Sequence, residues 1–352
     1  MRDITLLDTS LRDGSYAINF SFTSADTAII CQGLENAGFE YIEIGHGAGL
    51  NASKSGYGIA AETDEQYMYS AANALKKAKY GMFCIPGVAR LEDIDIAASN
   101  NMGFIRIGTN VTEVEESEPF IARAKSHGMQ IMANFMKSYA LPPKEFAEKV
   151  KLSEKYGAEI VYIVDSAGGM FANEIDDYYK AIRERTDIKL GFHGHNNLGL
   201  AISNSLDAAR IGISYLDCSL QGLGRSAGNA ATEVLVAALL KLGYELNIDF
   251  LKVLESGHKY INPLMNTRGI MPLDIVMGLA DFHSSYMHHI QKYATLYSIN
   301  PALLIIEAGK INKVHVDDAI LEQIAKKIGD NEEVFLGKYN FFRYTGGEQD
   351  DR

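Results

Sequence analysis

His193 and His195 stand two residues apart in the run His193-Gly194-His195-Asn196-Asn197, so on an extended strand both imidazoles leave one face and can reach a single ion. A carboxylate from another segment would complete a two-histidine, one-carboxylate site and leave coordination positions open for substrate. Asp13 is the preferred third group. It lies beside Arg12 in a glycine-containing loop, where an anionic ligand and a cationic neighbour can serve different parts of one substrate. Asp8 is the next candidate, as a ligand or as support for a histidine or Arg12. Each has an ordinary competitor, since histidines pair by chance and Asp13 could simply cap the helix that begins near Ser24. Asn229 opens an apolar helix, where it can serve as N-cap and still face the ion. His46 sits in a Gly-rich stretch and is a further candidate with no assigned role. His283, His288 and His289 recur at helical spacing late in the chain and are read as packing or solvated residues outside the site.

These groups need a scaffold that brings distant segments to one point. Short apolar, β-branched runs recur at Ile4 to Leu7, Tyr41 to Ile44, Tyr80 to Ile85, Phe104 to Ile107, Gln130 to Phe135, Ile160 to Val164, Lys189 to Phe192 and Tyr215 to Leu220. Segments with helical spacing separate them, such as Thr27 to Ala37 and Phe146 to Tyr156, several with a glycine at the stop. Eight βα units predict a parallel sheet, and closure into a (β/α)8 TIM barrel removes its unpaired edges; an open sheet is the alternative. In a barrel the residues ending the strands form one ring: Asp8 through Ser15, Glu43 with His46, Arg106, Asn134, Asp165 with Ser166, His193 through Asn197, and Asp217 with Ser219 and Gln221. After about Tyr244 only helical segments follow, at Phe250 to Tyr260, Leu273 to Tyr297, Pro301 to Ala308 and Val316 to Ile328. The expected organisation is a catalytic barrel over 1–245, a C-terminal helical appendage over 246–330 and a tail of unassigned role over 331–352.

Composition removes several other functions. Of 352 residues, 33 are basic and 45 acidic, a net charge of -12 with no basic cluster, which argues against nucleic acid as a partner. The three cysteines Cys31, Cys84 and Cys218 lack CxxC spacing, so neither a disulfide framework nor a thiolate metal site is expected. No apolar stretch reaches the ~18 residues of a membrane span and no export signal opens the chain, so a cytoplasmic location is expected. No strand-to-helix junction carries GxGxxG or GxxxxGK[ST], which leaves a dinucleotide or P-loop reading without its phosphate cradle.

Taken together, Asp8-Thr9-Ser10-Leu11-Arg12-Asp13-Gly14-Ser15, Ile42-Glu43-Ile44-Gly45-His46-Gly47, Val164-Asp165-Ser166-Ala167-Gly168, His193 through Leu198, and Gly222-Leu223-Gly224 through Gly228-Asn229 resemble a known group. It is that of the metal-dependent barrel lyases and synthases, including 2-isopropylmalate synthase and 3-hydroxy-3-methylglutaryl-CoA lyase. The 4-hydroxy-2-oxovalerate aldolase family within it is the most similar, over residues 1 to roughly 330.

The resemblance implies a divalent cation, commonly Mn2+ with Mg2+, Co2+ or Zn2+ as alternatives, held by Asp13, His193 and His195. It implies that Arg12 stabilises an enolate and that Ser166 anchors a substrate carboxylate. It also implies a 2-oxo acid and an aldehyde as small-molecule partners, self-association, and an acylating aldehyde dehydrogenase as a possible protein partner. Two positions depart from the family pattern: Tyr16 stands where the typical aldolases have a histidine base, and Phe20 where they tend to have a second histidine. The catalytic set implied is therefore Arg12, Tyr16 and His46, with the base open between Tyr16, His46 and a metal-bound water. The arginine in Gly222 to Asn229 is similar to the synthase version, so a Claisen condensation of an acyl-CoA with a 2-oxo acid is one alternative. A non-catalytic barrel that binds metal and 2-oxo acid is another.

Overall fold

A computed structural model describes residues 4–265, 269–331, 339, 341 and 344. The expected tail over 331–352 lies outside these residues apart from the few just named. Eight parallel strands, β1 (Thr5–Asp8), β2 (Tyr41–Glu43), β3 (Lys79–Cys84), β4 (Phe104–Asn110), β5 (Gln130–Met136), β6 (Ile160–Asp165), β7 (Lys189–Gly194) and β8 (Tyr215–Cys218), close into a barrel in chain order. Closure is set by the β1–β8 pairing, Thr5 opposite Tyr215 through Asp8 opposite Cys218. The eight apolar runs expected as strands all supply one, and the open-sheet alternative falls with the closure.

The crossovers are α1 (Ser24–Asn36), α2 (Asp64–Ala74), α3 (Leu91–Ser99), α4 (Glu118–Ser126), α5 (Pro143–Tyr156), α6 (Ala172–Arg183), α7 (Ala201–Ile211) and α8 (Thr232–Lys241). Local chemistry fixes their starts. At α1 the Thr23 hydroxyl accepts from Asp26 N–H at 3.2 Å while the Asp26 carboxylate accepts from Thr23 N–H at 2.8 Å, a reciprocal cap. Asp13 has no part in that cap.

Alternation along the strands sorts side chains into layers inside the barrel. Leu7, Tyr41, Phe104, Met132, Ile160, Tyr162 and Tyr215 form an apolar cluster distinct from the larger core that includes the surrounding helices. Two residues further along the same strands, and so on the same inward face, come Glu43, Arg106, Asn134 and Asp217. The apolar floor thus carries a charged layer. Space for it depends on Gly191, where an added Cβ would stand 2.3 Å from the Tyr162 ring that lies 4.5 Å below the Arg106 guanidinium carbon.

Beyond the barrel run α9 (Phe250–Ser256), α10 (Pro272–Leu279), α11 (Met287–Leu296), α12 (Pro301–Ile311) and α13 (Asp318–Gly329). From α10 onward these helices gather their own core around Met277, Phe282, Ile290, Leu304 and Leu321. The single helix expected over Leu273 to Tyr297 is two helices. They are separated by a turn in which Asp281 takes a left-handed φ of 49° and Ser284–Tyr286 form a short 3-10 turn. Apolar spacing runs through this break, and Gly278 lies within the last turn of α10 rather than at the left-handed stop, so the sequence marks it poorly; the break redirects His283.

Candidate active site

The site assembles on the charged layer. Arg12 follows β1, and its Nε donates to Glu43 Oε2 at 2.8 Å while Nη1 donates to Asp13 Oδ1 at 3.0 Å. Arg106 joins the same Glu43 oxygen through Nη1 at 2.9 Å, reaches Asp217 Oδ2 through Nη2 at 2.5 Å and Asn134 Oδ1 through Nε at 3.1 Å. Asp217 Oδ2 then accepts from His193 Nδ1 at 2.8 Å. One buried chain of contacts therefore links Asp13 to His193 through Arg12, Glu43, Arg106 and Asp217. Removing one partner from such a chain leaves a charge unpaired in the interior, at a cost of about 3–5 kcal/mol, so the arrangement is held rigidly.

This chain orients the donors. His193 donates its Nδ1–H to Asp217, which turns its Nε2 away from that carboxylate. His195 is pushed down to about 4 by burial, with Asp13 opposing and His193 adding to the fall, so its imidazole is neutral near pH 7. At Asp13 burial pushes the carboxyl up, but Arg12, His195, His193 and the Asn229 amide outweigh it and hold it well below the carboxylate range. Two imidazoles, the His195 ring held neutral, and one carboxylate are thereby presented together.

Ligand atoms of Asp13, His193 and His195 all lie within 4.8 Å of one another. Among the described residues, the buried His195 Nδ1 and Asn229 Oδ1 have no hydrogen-bond partner. Asn229 donates Nδ2 to Asp13 Oδ2 at 2.6 Å, which sets its idle oxygen beside the same carboxylate. The donor set suits a divalent cation: an anionic oxygen, two imidazole nitrogens and an amide oxygen whose lone pairs nothing in the protein uses.

Asp8 does not reach this group. Leu7 belongs to the inward cluster, so Asp8 faces the outer side of β1, where its oxygens accept from Ser10 N–H at 2.9 Å and Ser10 Oγ at 3.0 Å. The tasks weighed for it, holding a histidine and holding Arg12, are carried by Asp217 and Glu43. Burial raises the Asp8 carboxyl to about 7, against the Ser10 bonds and with help from Glu233 and Asp217. It is therefore protonated in the fold yet ionised in the unfolded chain above its ordinary value of 3.8. Its contribution to stability is complete below that value and is lost as pH rises through about 7. Asp8→Asn keeps both Ser10 contacts without a charge. Urea unfolding should show the variant ahead of the wild type by about 1–3 kcal/mol at about pH 8.5, with the gap closing towards pH 5.

A cavity of about 320 Å3 opens above the cation ligands, lined on the barrel side by Arg12, Asp13, Ser166, His193 and His195. Arg12 uses Nε and Nη1 on Glu43 and Asp13, which leaves Nη2 for what enters. Ser166 Oγ accepts the Lys137 N–H at 2.9 Å, so its own proton can be donated to a ligand. Tyr16 also lines the cavity, its ring under the Arg225 guanidinium at 4.4 Å. The approach depends on Gly47, where an added Cβ would come within 2.4 Å of that ring.

His46 stands behind this wall. Its ring stacks on Phe20 at 3.8 Å, its Nδ1 accepts from Ala48 N–H at 3.0 Å and its Nε2 lies 3.2 Å from Gly58 O. The structure thus brings Arg12, Asp13, Tyr16, Ser166, His193, His195 and Asn229 together, and sets His46 and Asp8 apart from the cavity.

Further lining of the cavity comes from residues that the sequence reading left out. His283 lines it from the turn between α10 and α11, with Nδ1 facing Ser285 Oγ at 2.8 Å and Ser285 N–H at 3.3 Å. Burial drives its pKa well below the ordinary histidine value, aided by Arg225, Lys137 and His195. Lys137 and Arg225 line the same cavity. Only the break in the expected helix, invisible in apolar spacing, places His283 here.

A closed eight-stranded barrel with two histidines, a carboxylate and an arginine at the strand ends defines the class of metal-dependent carbon–carbon lyases, and a family model described as HMGL-like matches residues 3–258. The chain belongs to the 4-hydroxy-2-oxovalerate aldolase family within that class. It is 38% identical over 335 residues to the 4-hydroxy-2-oxovalerate aldolase of Moorella thermoacetica, covering 94% of this chain and 99% of the relative. The fold alone extends to the HMG-CoA lyase of Brucella melitensis, at 18% identity and TM-score 0.66 over 76% of this chain and all of that one. It extends also to the carboxyl transferase domain of Rhizobium etli pyruvate carboxylase with pyruvate, at 15% identity and TM-score 0.76 over 95% and 61% of the two chains. The protein is a divalent-metal-dependent aldolase, a reading the relatives favour over a condensing synthase or a non-catalytic barrel. Among the described residues no helix is long and apolar enough to cross a membrane.

Proposed function

We propose that the protein cleaves, and in reverse forms, a 4-hydroxy-2-oxo acid by way of a pyruvate-type enolate, with Mn2+ held by Asp13, His193 and His195. The observation that carries this reading is the placement of those three ligands and Arg12 in one cavity wall. When bound, the cation supplies positive charge to the keto oxygen. Arg12 Nη2 stabilises the charge that gathers on that oxygen as the C3–C4 bond breaks, and Ser166 Oγ orients the substrate carboxylate. Cleavage requires the C4 hydroxyl to lose its proton as the aldehyde forms. His283 is assigned that proton, because its imidazole is neutral and its Nε2 has no partner among the described residues. Tyr16 is assigned the hydrogen bond that positions the hydroxyl, and His46 the support of the Phe20 and Tyr16 wall.

The test is proton exchange. In D2O with Mn2+, pyruvate should lose its methyl proton signal in the presence of the protein, and His193→Ala should abolish the effect. Absence of exchange by the wild type with any 2-oxo acid would overturn the reading.

The reading carries the barrel, appendage and tail boundaries 1–245, 246–330 and 331–352, and a cytoplasmic setting. Self-association is assigned to the appendage, whose helices expose Ile275, Leu279, Leu296 and Ile311. An acylating aldehyde dehydrogenase that consumes the aldehyde is the protein partner this chemistry would use.

A further inference from the structure

The loops after β7 and β8, which complete the cation site, are joined to each other and then to the appendage. His195 and Asn229 pair in a short antiparallel bridge, and Asn196 N–H donates to Gly228 O at 2.9 Å. One residue further on, Asn197 Nδ2 donates to Ser226 Oγ at 2.9 Å. Ser226 Oγ in turn donates to Asp274 Oδ1 at 3.1 Å, and Asn197 Nδ2 also reaches Asp274 O at 3.1 Å. Asp274 belongs to α10, so these bonds cross from the barrel loops to the appendage. The same Oδ1 accepts the Tyr344 hydroxyl at 2.7 Å.

Asn197, Ser226, Asp274 and Tyr344 are all buried, and Asp274 has an exposure of 0%. A carboxylate taken out of water must recover its lost hydration from protein donors. Asp274 does so with the Met271 N–H at 2.8 Å on Oδ2 and with the two hydroxyls on Oδ1. Ser226 is held at a left-handed φ of 56°, a conformation that an L side chain keeps only where its surroundings impose it. There is little slack around Asn197 either. A Cβ added at Gly168 would stand 2.6 Å from Asn197 N, and one added at Gly278 would stand 3.2 Å from Asn197 Cβ.

The consequence reaches the cation ligands. Asn229 lies three residues beyond Ser226, faces His195 across the bridge and holds Asp13 Oδ2 through Nδ2 at 2.6 Å. Its buried Oδ1 is without a partner among the described residues. A displacement of Ser226 is therefore passed to Asn229, and from there to the spacing between Asp13 and His195.

We propose that Tyr344 is a positioning residue of the metal centre, acting through Asp274 and Ser226. Its hydroxyl fixes the Asp274 carboxylate, the carboxylate sets Ser226, and Ser226 sets the loop that carries Asn229 against His195 and Asp13. This rests on the metal reading of that site. It gives a residue of the stretch left without a role in the sequence a part in holding the cation.

The experiment is calorimetric titration of the metal-free protein with Mn2+, which reads the ligands without turnover. Tyr344→Phe keeps the ring in the appendage core beside Phe341 and removes only the hydroxyl. The Kd for Mn2+ should rise about 10-fold in Tyr344→Phe, and about 10-fold or more in Ser226→Ala. In the double variant the rise should fall short of the product of the two, because one residue acts through the other. Stoichiometry counts the folded sites, so partial unfolding lowers the number of sites and leaves Kd readable. A hydroxyl that serves stability alone would lower the urea midpoint of the metal-free protein and leave Kd as in the wild type. An unchanged Kd in either single variant, or effects that multiply in full in the double variant, overturns the proposal. A wild type that binds no divalent cation sinks the metal reading itself, and this inference with it.

Discussion

Arg12→Met should lower kcat for cleavage of a 4-hydroxy-2-oxo acid by about 10^3-fold or more. The expectation follows from three simultaneous contacts. Arg12 lines the cavity with its Nη2 left over from these bonds, Nη1 keeps the Asp13 carboxylate ionised, and Nε neutralises one side of Glu43. Losing the first contact removes the donor aimed at the developing enolate oxygen, a loss of about 10^2–10^3 by itself. Losing the other two raises the Asp13 carboxyl and leaves Glu43 to Arg106 alone, so cation affinity should fall as well. Steady-state cleavage at saturating Mn2+, set beside calorimetric Mn2+ titration, separates these effects. A variant with weakened cation binding but full kcat at saturation would show that Arg12 only maintains the ligands and does not act on the oxygen.

Much of this geometry is legible in the sequence because period-two spacing on a strand determines side-chain direction. His193 and His195 share a face by parity alone, and the eight apolar runs place that face at the open end of a barrel. The same parity shows why Asp8 is not beside them: it is adjacent to Leu7, whose inward direction sends Asp8 outward. Parity also puts Glu43, Arg106 and Asp217 in one inward layer. Their partnership, however, depends on how far each strand is staggered against the next, Glu43 opposite Gly81 and Phe83 opposite Arg106. Stagger is a property of closure, and no local pattern encodes it.

The rest of the cavity was harder to read for a different reason. Lys137 and Arg225 come from loops after β5 and β8, and His283 from a turn that interrupts an unbroken apolar periodicity. Their common destination is set by packing of the appendage on the barrel, where Gly278 of α10 lies against Leu198 and Gly169. Tyr16 carried the most direct local signal, a phenol in place of an expected base. His283, the histidine proposed for that task, lies about 267 residues away in the chain and meets Tyr16 only as a lining residue of the same cavity.

His283→Asn tests that proposed role. An asparagine oxygen can accept the Ser285 N–H as Nδ1 does, so the turn keeps its cap, while the second ring nitrogen is lost. Cleavage kcat should fall by about 10^2–10^4-fold, the range associated with a positioned general base. The pH profile gives the independent readout. A base must be neutral to act, and His283 is held well below the ordinary histidine value by burial, Arg225, Lys137 and His195. Wild-type kcat should therefore persist as pH falls through about 6.5, where an ordinary histidine would already be half protonated. Tyr16→Phe removes a hydrogen bond but no base, so it should cost about 10-fold and leave that acid limb in place. Should Tyr16→Phe instead abolish cleavage while His283→Asn retains both rate and limb, the proton belongs to the phenol under Arg225. The Arg225 guanidinium over the ring would then serve to ionise Tyr16.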